Sequence, residues 1–143
     1  MFINIRDRVN DSEVKQLLEY SVYADTDELE KAMIAYQTNE QYQLFALTDD
    51  DGIIGIIGFT LQDRQLAIRH IAIHPHDRGL GYGRGLLLEL IEMKQQDMDV
   101  ITAEVDEEAV NFYRSIGFSV HSLGEVYPGM ERFICEYEVD QED

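Results

Sequence analysis

The most constraining stretch of this chain runs Ile71-Ala72-Ile73-His74-Pro75-His76-Asp77-Arg78-Gly79-Leu80-Gly81-Tyr82-Gly83-Arg84-Gly85. A strand-like segment stops at Pro75, enters a turn with glycine at four alternate positions, and continues into an amphipathic stretch. Glycine allows positive φ and removes side chains that would keep a ligand off the backbone. The start of the following helix then offers unpaired N–H groups and the positive end of its dipole. Such a turn holds a phosphate or diphosphate with main-chain donors, and Arg78 and Arg84 add positive charge there. Two other phosphate-binding patterns fail. The P-loop needs a lysine followed by Ser or Thr after its last glycine, and neither is present. The dinucleotide fingerprint needs glycine where Arg84 or Leu86 stands. A tight turn without a ligand is the competing reading, and four glycines beside a helix make it an expensive one.

The rest of the chain supplies a setting for this turn. Phe2–Arg6 alternates like a strand. A helix is predicted from Ser12 with Val14, Leu17 and Leu18 on one face, and a second from Thr26 through Tyr36 with acids in its first turn. Gln43–Thr48 and Ile53–Gln62 read as a hairpin around Asp49-Asp50-Asp51-Gly52, with Gln65–His74 as a third strand. Gly85–Gln95 has helical apolar spacing. Val100–Val105 reads as a strand, Glu107–Ser115 as a helix closed by Gly117, and Phe118–Ser122 and Arg132–Val139 as strands joined by a Gly124–Gly129 loop. The predicted order is β-α-α-β-β-β-α-β-α-β-β, with no repeat or linker, so a single domain over residues 1–143 is expected.

With 143 residues and 45% hydrophobic content, the chain can bury one core. No apolar run is long enough to span a bilayer and the N-terminus lacks a signal-peptide pattern, so a cytoplasmic location and no membrane partner are expected. Its single cysteine, Cys135, makes neither an internal disulfide nor a cysteine-rich metal site. His74, His76 and His121 lack clustered ligand spacing, so no metal is expected. The net charge of −18 argues against nucleic acid as a partner and suits a cationic substrate, or serves only solubility. Against that background, four of the 11 basic residues (Arg64, Arg69, Arg78 and Arg84) fall within residues 64–84, where Asp77 is the one acid.

Two motifs resemble those of the GNAT superfamily of N-acetyltransferases. Arg78-Gly79-Leu80-Gly81-Tyr82-Gly83 is similar to its Arg/Gln-x-x-Gly-x-Gly/Ala signature. Ala109-Val110-Asn111-Phe112-Tyr113-Arg114-Ser115-Ile116-Gly117-Phe118 is similar to its Ala-x-x-Phe-Tyr-x-x-x-Gly-Phe hallmark, in the expected order. The resemblance implies an α/β (α+β) fold with a mixed, mostly antiparallel sheet flanked by helices and splayed between the Gln65–His74 and Val100–Val105 strands. It implies acetyl-CoA as cosubstrate. The pantetheine arm would pair with Ile71, Ala72 and Ile73, the diphosphate would rest on Arg78, Gly79, Leu80, Gly81, Tyr82, Gly83 and Arg84, and Asn111 would join the cofactor site. Asp106 stands where the family often has asparagine, and an acid lacks the amide's donor.

Acetyl transfer needs an unprotonated amine, an electrophilic thioester and a proton for the departing thiolate. Tyr113 matches the family tyrosine beside the sulfur, and a phenol can supply that proton; packing beside Phe112 and Phe118 is the alternative. A strand N–H near Ala72 or Ile73 suits the thioester oxygen. His70 and Glu104 are the candidate general bases, with a water chain as the alternative. Tyr20, Tyr23, Asp25, Asp27, Glu28 and Tyr36, with Glu125, Tyr127 and Glu131 from a late loop over 122–133, are candidates to hold the amine. The expected activity is transfer of acetyl from acetyl-CoA to a primary amine of a small molecule or peptide by direct attack in a ternary complex. A non-catalytic acyl-CoA-binding regulatory module is the alternative. An exposed sheet edge near the C-terminus leaves a homodimer open.

Overall fold

The computed structural model describes residues 1–22 and 26–139, apart from the side chain of Thr26. Its elements run β1 (Phe2–Asn4), α1 (Ser12–Ser21), α2 (Thr26–Thr38), β2 (Tyr42–Asp49), β3 (Gly52–Gln62), β4 (Gln65–Ile73), α3 (Tyr82–Lys94), β5 (Val100–Asp106), α4 (Glu107–Ile116), β6 (Ser119–Tyr127) and β7 (Met130–Glu138), in the order expected. Short 3-10 turns follow β1, β4 and α3. The strands join in one mixed, mostly antiparallel sheet in the order β1-β2-β3-β4-β5-β7-β6. No helix of the described residues is long and apolar enough to cross a membrane.

The described residues fall into two compact units. The first comprises Met1–Thr60 and Arg69–Met93. In it, α1 buries Val14, Leu17 and Leu18, one stripe at helical spacing, in a core shared with Leu29 and Tyr36 of α2, Leu44 and Ala46 of β2, Ile53 and Ile56 of β3, and Ala72 of β4. Ile53–Phe59 of β3 is buried on both faces, which explains its unbroken apolar run. Arg6 ends β1 earlier than expected, because its side chain turns to α2. Its guanidinium donates to the carbonyls of Tyr36 (2.7 Å) and Asn39 (3.1 Å), satisfying backbone acceptors at the end of that helix.

The second unit comprises Leu61–Ile68 and residues 94–143. Here β4 runs parallel to β5 from Gln65↔Val100 to Ile68↔Ala103, and β7 pairs antiparallel with β5 on one side and β6 on the other. Leu66, Ile68, Met98, Ile101, Ala103, Val110, Tyr113, Phe118 and Cys135 are buried. The strands of this last hairpin run further than expected and take up most of the late loop. β6 continues through Gly124 to Tyr127, and the chain reverses at Pro128-Gly129, with Gly129 at φ 80°. Proline fixes the first turn position and glycine takes the left-handed second one, leaving Leu123, Val126 and Tyr127 free to extend the strand.

Candidate active site

In the first unit, the end of β4 is held close to β3. A Cβ at Gly55 would lie 2.8 Å from the Ala72 carbonyl oxygen and 2.6 Å from Ile73 Cδ1, so only glycine admits this approach. The His74 N–H donates to the Ile54 carbonyl (2.7 Å), and a 3-10 turn over Pro75–Asp77 redirects the chain. The His76 N–H donates to His74 Nδ1 at 3.3 Å, and the two rings stack 5.0 Å apart. These histidines shape the turn; no metal-ligand cluster occurs among the described residues.

Beyond the turn, Gly79 (φ 80°) and Gly81 (φ 87°) adopt the left-handed conformation. A Cβ at either would meet nothing within 4 Å, so backbone conformation and not packing requires glycine there. Leu80 between them is 68% exposed. The helix α3 begins at Tyr82, three residues before the Gly85 start expected from apolar spacing, and Gly83 and Gly85 lie within its first turn. The Gly85 N–H donates to Gly81 O at 3.1 Å; the N–H groups just before it have no carbonyl four residues back within the helix. Leu86, Leu87 and Leu90 are fully buried and anchor this helix end.

Arg78 does something the sequence did not suggest. Its Nε donates to the Ile73 carbonyl at 3.0 Å, and its guanidinium lies 5.0 Å over the Tyr20 ring of α1. The signature arginine thus ties the loop to the last residue of β4 and to α1. Arg84, in the first turn of α3, is exposed. Ile71 and Ile73 are half-buried and Ala72 is buried.

His70 is half-buried on β4, with its Nδ1 2.7 Å from the hydroxyl of Tyr36. Burial, with the positive charge of Arg69 acting the same way, lowers its pKa to about 4. The imidazole is therefore neutral near pH 7. Tyr36, expected to face an amine, is fully buried instead and belongs to the core. Burial raises its pKa well above the usual phenol value, Tyr42 adding and Arg69 opposing.

In the second unit, Tyr113 lies on α4, 2% exposed, with its ring edge-on to Phe112 (5.1 Å) and Phe118 (5.2 Å). The second motif has a direct physical reading. Gly117 follows the helix at φ 115°, its N–H donates to Arg114 O, and the Phe118 N–H donates to Tyr113 O, both at 3.1 Å. This is a Schellman closure, with the Tyr113–Phe118 contact as its hydrophobic clasp. Tyr113 has no hydrogen bond from its hydroxyl among the described residues, yet no fully buried side-chain oxygen lacks a partner. The hydroxyl is therefore not completely sealed from solvent. Burial raises the phenol pKa, with Cys135 contributing, so it stays protonated.

Asp106 caps α4: its carboxylate accepts from the Ala109 N–H at 3.3 Å. That role needs a side-chain oxygen acceptor, which the aspartate supplies. Glu104 is exposed on β5, and its carbonyl accepts from Arg132 at 3.2 Å. Asn111 is exposed on α4 and accepts from Arg114 at 3.5 Å. Of the amine-site candidates, Tyr20 is 46% exposed beneath Arg78, while Asp27 and Glu28 are exposed in the first turn of α2. Tyr23 and Asp25 lie outside the described residues. Glu125, Tyr127 and Glu131 are exposed on the β6–β7 hairpin, where Glu131 accepts from Ser122.

Comparisons with known proteins bear on the family and the fold. The acetyltransferase (GNAT) domain profile matches residues 6–130. An uncharacterized N-acetyltransferase from Bacillus methanolicus is 33% identical over 67 residues, which cover 46% of this chain and 56% of that relative. The chain thus matches little more than half of that relative's length. Among solved structures, an aminoglycoside 6'-N-acetyltransferase in complex with coenzyme A superposes with a TM-score of 0.75 at 16% identity, covering 100% of this chain and 99% of that one. A spermidine/spermine N-acetyltransferase from Vibrio cholerae gives 0.73 at 20% identity, covering 96% and 91%.

Proposed function

This chain belongs to the GNAT family of N-acetyltransferases, whose cosubstrate is acetyl-CoA, and from that premise we propose that it moves the acetyl group onto a primary amine of a small molecule or peptide by direct attack. The observation that carries the reading is the start of α3, where two left-handed glycines with open space around them lead into a helix end anchored by buried leucines. Main-chain N–H groups there receive the diphosphate. The backbone of Ile71–Ile73 pairs with the pantetheine amides, as an open strand edge can, since the parallel ladder of β4 with β5 runs only from Gln65 to Ile68.

Residue roles follow from their chemistry. The amine nitrogen adds to the thioester carbonyl, the carbonyl π pair moves to oxygen, and collapse expels the CoA thiolate. Tyr113, protonated and with an accessible hydroxyl, gives the thiolate its proton. The amine proton leaves through water, because His70 with a pKa of about 4 is too weak a base to hold it. Glu104 is the side chain left for relaying that proton to solvent. The acceptor is cationic in solution, in keeping with the net charge of −18 and with the spermidine/spermine and aminoglycoside acetyltransferases among the structural neighbours.

The test is thiol release from acetyl-CoA across polyamines, amino sugars, amino acids and peptide N-termini, with wild type and Tyr113→Phe. Turnover with at least one amine, falling about 100-fold or more in kcat for Tyr113→Phe, is expected. Coenzyme A binding without turnover on any amine would replace the enzyme by a CoA-binding regulatory module. Unchanged kcat in Tyr113→Phe would remove the assigned acid.

A further inference from the structure

One polar arrangement of the first unit joins three residues distant in sequence. Tyr36 crosses from α2 over Gly58 of β3, and its hydroxyl stops 2.7 Å from His70 Nδ1 on β4. The crossing is close: a Cβ at position 58 would sit 1.7 Å from the phenol oxygen and 2.5 Å from Cζ. The edge of Tyr42 packs on the Tyr36 ring at 5.4 Å, and the His70 ring is tilted against it at 5.5 Å.

The hydrogen bond has a direction. Tyr36 is fully buried, and among the described residues His70 Nδ1 is the one partner of its hydroxyl. A buried O–H without an acceptor is costly, so the phenol donates. Nδ1 then carries a lone pair, and a neutral imidazole must hold its proton on Nε2. Burial keeps both groups uncharged. Nε2 itself has no protein partner among the described residues. It is also not sealed off, since no fully buried side-chain nitrogen is unpartnered. The positive group that acts on it, Arg69, donates to Thr60 Oγ1 at 3.2 Å.

We propose that Tyr36 is a positioning residue, seated over Gly58, that fixes His70 as the Nε2–H tautomer, so that His70 offers the reactants a hydrogen-bond donor and not a base. The inference rests on the acetyl-transfer reading above. His70 immediately precedes the Ile71–Ile73 segment assigned to the pantetheine arm, and its donor serves the carbonyl oxygen that gains charge as the amine adds. No proton is transferred through His70. The pair works as a neutral electrophile whose orientation is set before substrate arrives.

Two measurements test this. Nitrogen-15 correlation spectra of the wild-type histidines should report His70 with a protonated Nε2 and an unprotonated Nδ1, and Tyr36→Phe should lose that single-tautomer signature. In thiol release, His70→Ala should lower kcat about 100-fold at little changed KM for acetyl-CoA, whereas His70→Gln, which keeps an N–H donor, should stay within about tenfold of wild type. A spectrum with the proton on Nδ1, or a His70→Gln enzyme as slow as His70→Ala, would overturn the proposal. If the wild type releases no thiol while its spectrum shows the Nε2–H tautomer, the tautomer assignment is supported and the acetyl-transfer reading fails instead.

Discussion

Gly58→Ala should damage this protein far more than a one-carbon change on a strand ordinarily does. The added Cβ would lie 1.7 Å from Tyr36 Oη, 2.5 Å from Cζ and 3.1 Å from Cε1, so Tyr36 must move. Its ring cannot retreat into solvent, being fully buried with Tyr42 and His70 against it. Over-packing of this kind costs about 1–3 kcal/mol. Moving the ring also breaks the bond to His70 and leaves a buried hydroxyl without an acceptor, about 1–3 kcal/mol more. The sum, about 2–6 kcal/mol, corresponds to a fall in Tm of roughly 6–20 °C for a chain of this size. Because the chain has no tryptophan, circular dichroism in urea is the suitable probe. Gly85→Ala is the control: it lies in α3, a Cβ there meets nothing within 4 Å, and it should be neutral or up to about 1 kcal/mol stabilising. Adding Tyr36→Ala to Gly58→Ala should remove most of the penalty attributable to the clash, giving a coupling of about 1–3 kcal/mol. A Gly58→Ala protein as stable as wild type would refute the reasoning, and so would additive single and double variants.

His70 should impose a pH dependence on stability. Its folded pKa of about 4 is below the unfolded value of 6.5, so the unfolded state binds more protons between them and stability falls as pH drops from 6.5 towards 4, then levels off. The contribution is at most about 3 kcal/mol, read as the difference between wild type and His70→Gln in urea midpoints at pH 7 and pH 4; an identical slope in both would refute the assignment. Gly81→Ala places a Cβ on a residue at φ 87° with open space around it, so strain alone is added, about 1–2 kcal/mol. Calorimetry should find coenzyme A affinity reduced about tenfold or more, and unchanged affinity would remove the loop from the binding site.

What the sequence disclosed was whatever depends on neighbours along the chain. The glycine-closed α4 was readable because Tyr113, Gly117 and Phe118 act on one another within about a turn, whereas the Asp106 cap at its other end was not read. The start of α3 was misplaced because glycine has a poor helix propensity, and Gly83 and Gly85 look like loop until the buried leucines behind them fix the helix. The two last strands were legible, but their extension to Tyr127 was hidden, because Gly124 interrupts the segment and its residues are exposed on both faces, which leaves no alternation to read. The turn between β3 and β4 had no glycine to announce it: Asp63 (φ 53°) and Arg64 (φ 64°) are both left-handed, and Arg64 is held by the Asp99 carboxylate and the Gln96 carbonyl. Tyr36 and His70 meet across 34 positions, a pairing that no local pattern encodes. The available hint was Gly58 itself, since a glycine inside an apolar strand marks a place where something passes close.

The same distinction bears on how an acidic chain can hold an anion. A net charge of −18 sets a repulsive field around the molecule, but at physiological salt that field decays over about 8 Å. Binding is then decided by groups within a few ångströms. Arg78 is turned to the Ile73 carbonyl and the Tyr20 ring, so its contribution is to shape the loop and join it to β4 and α1. In the proposed site, the diphosphate is met chiefly by main-chain N–H groups and the helix dipole, whose strength does not depend on side-chain rotamers or on surface charge. Under this division of labour, surface acids can accumulate for attracting cationic amines or for solubility, while the cosubstrate site keeps its affinity as long as Gly79 and Gly81 hold their left-handed turns.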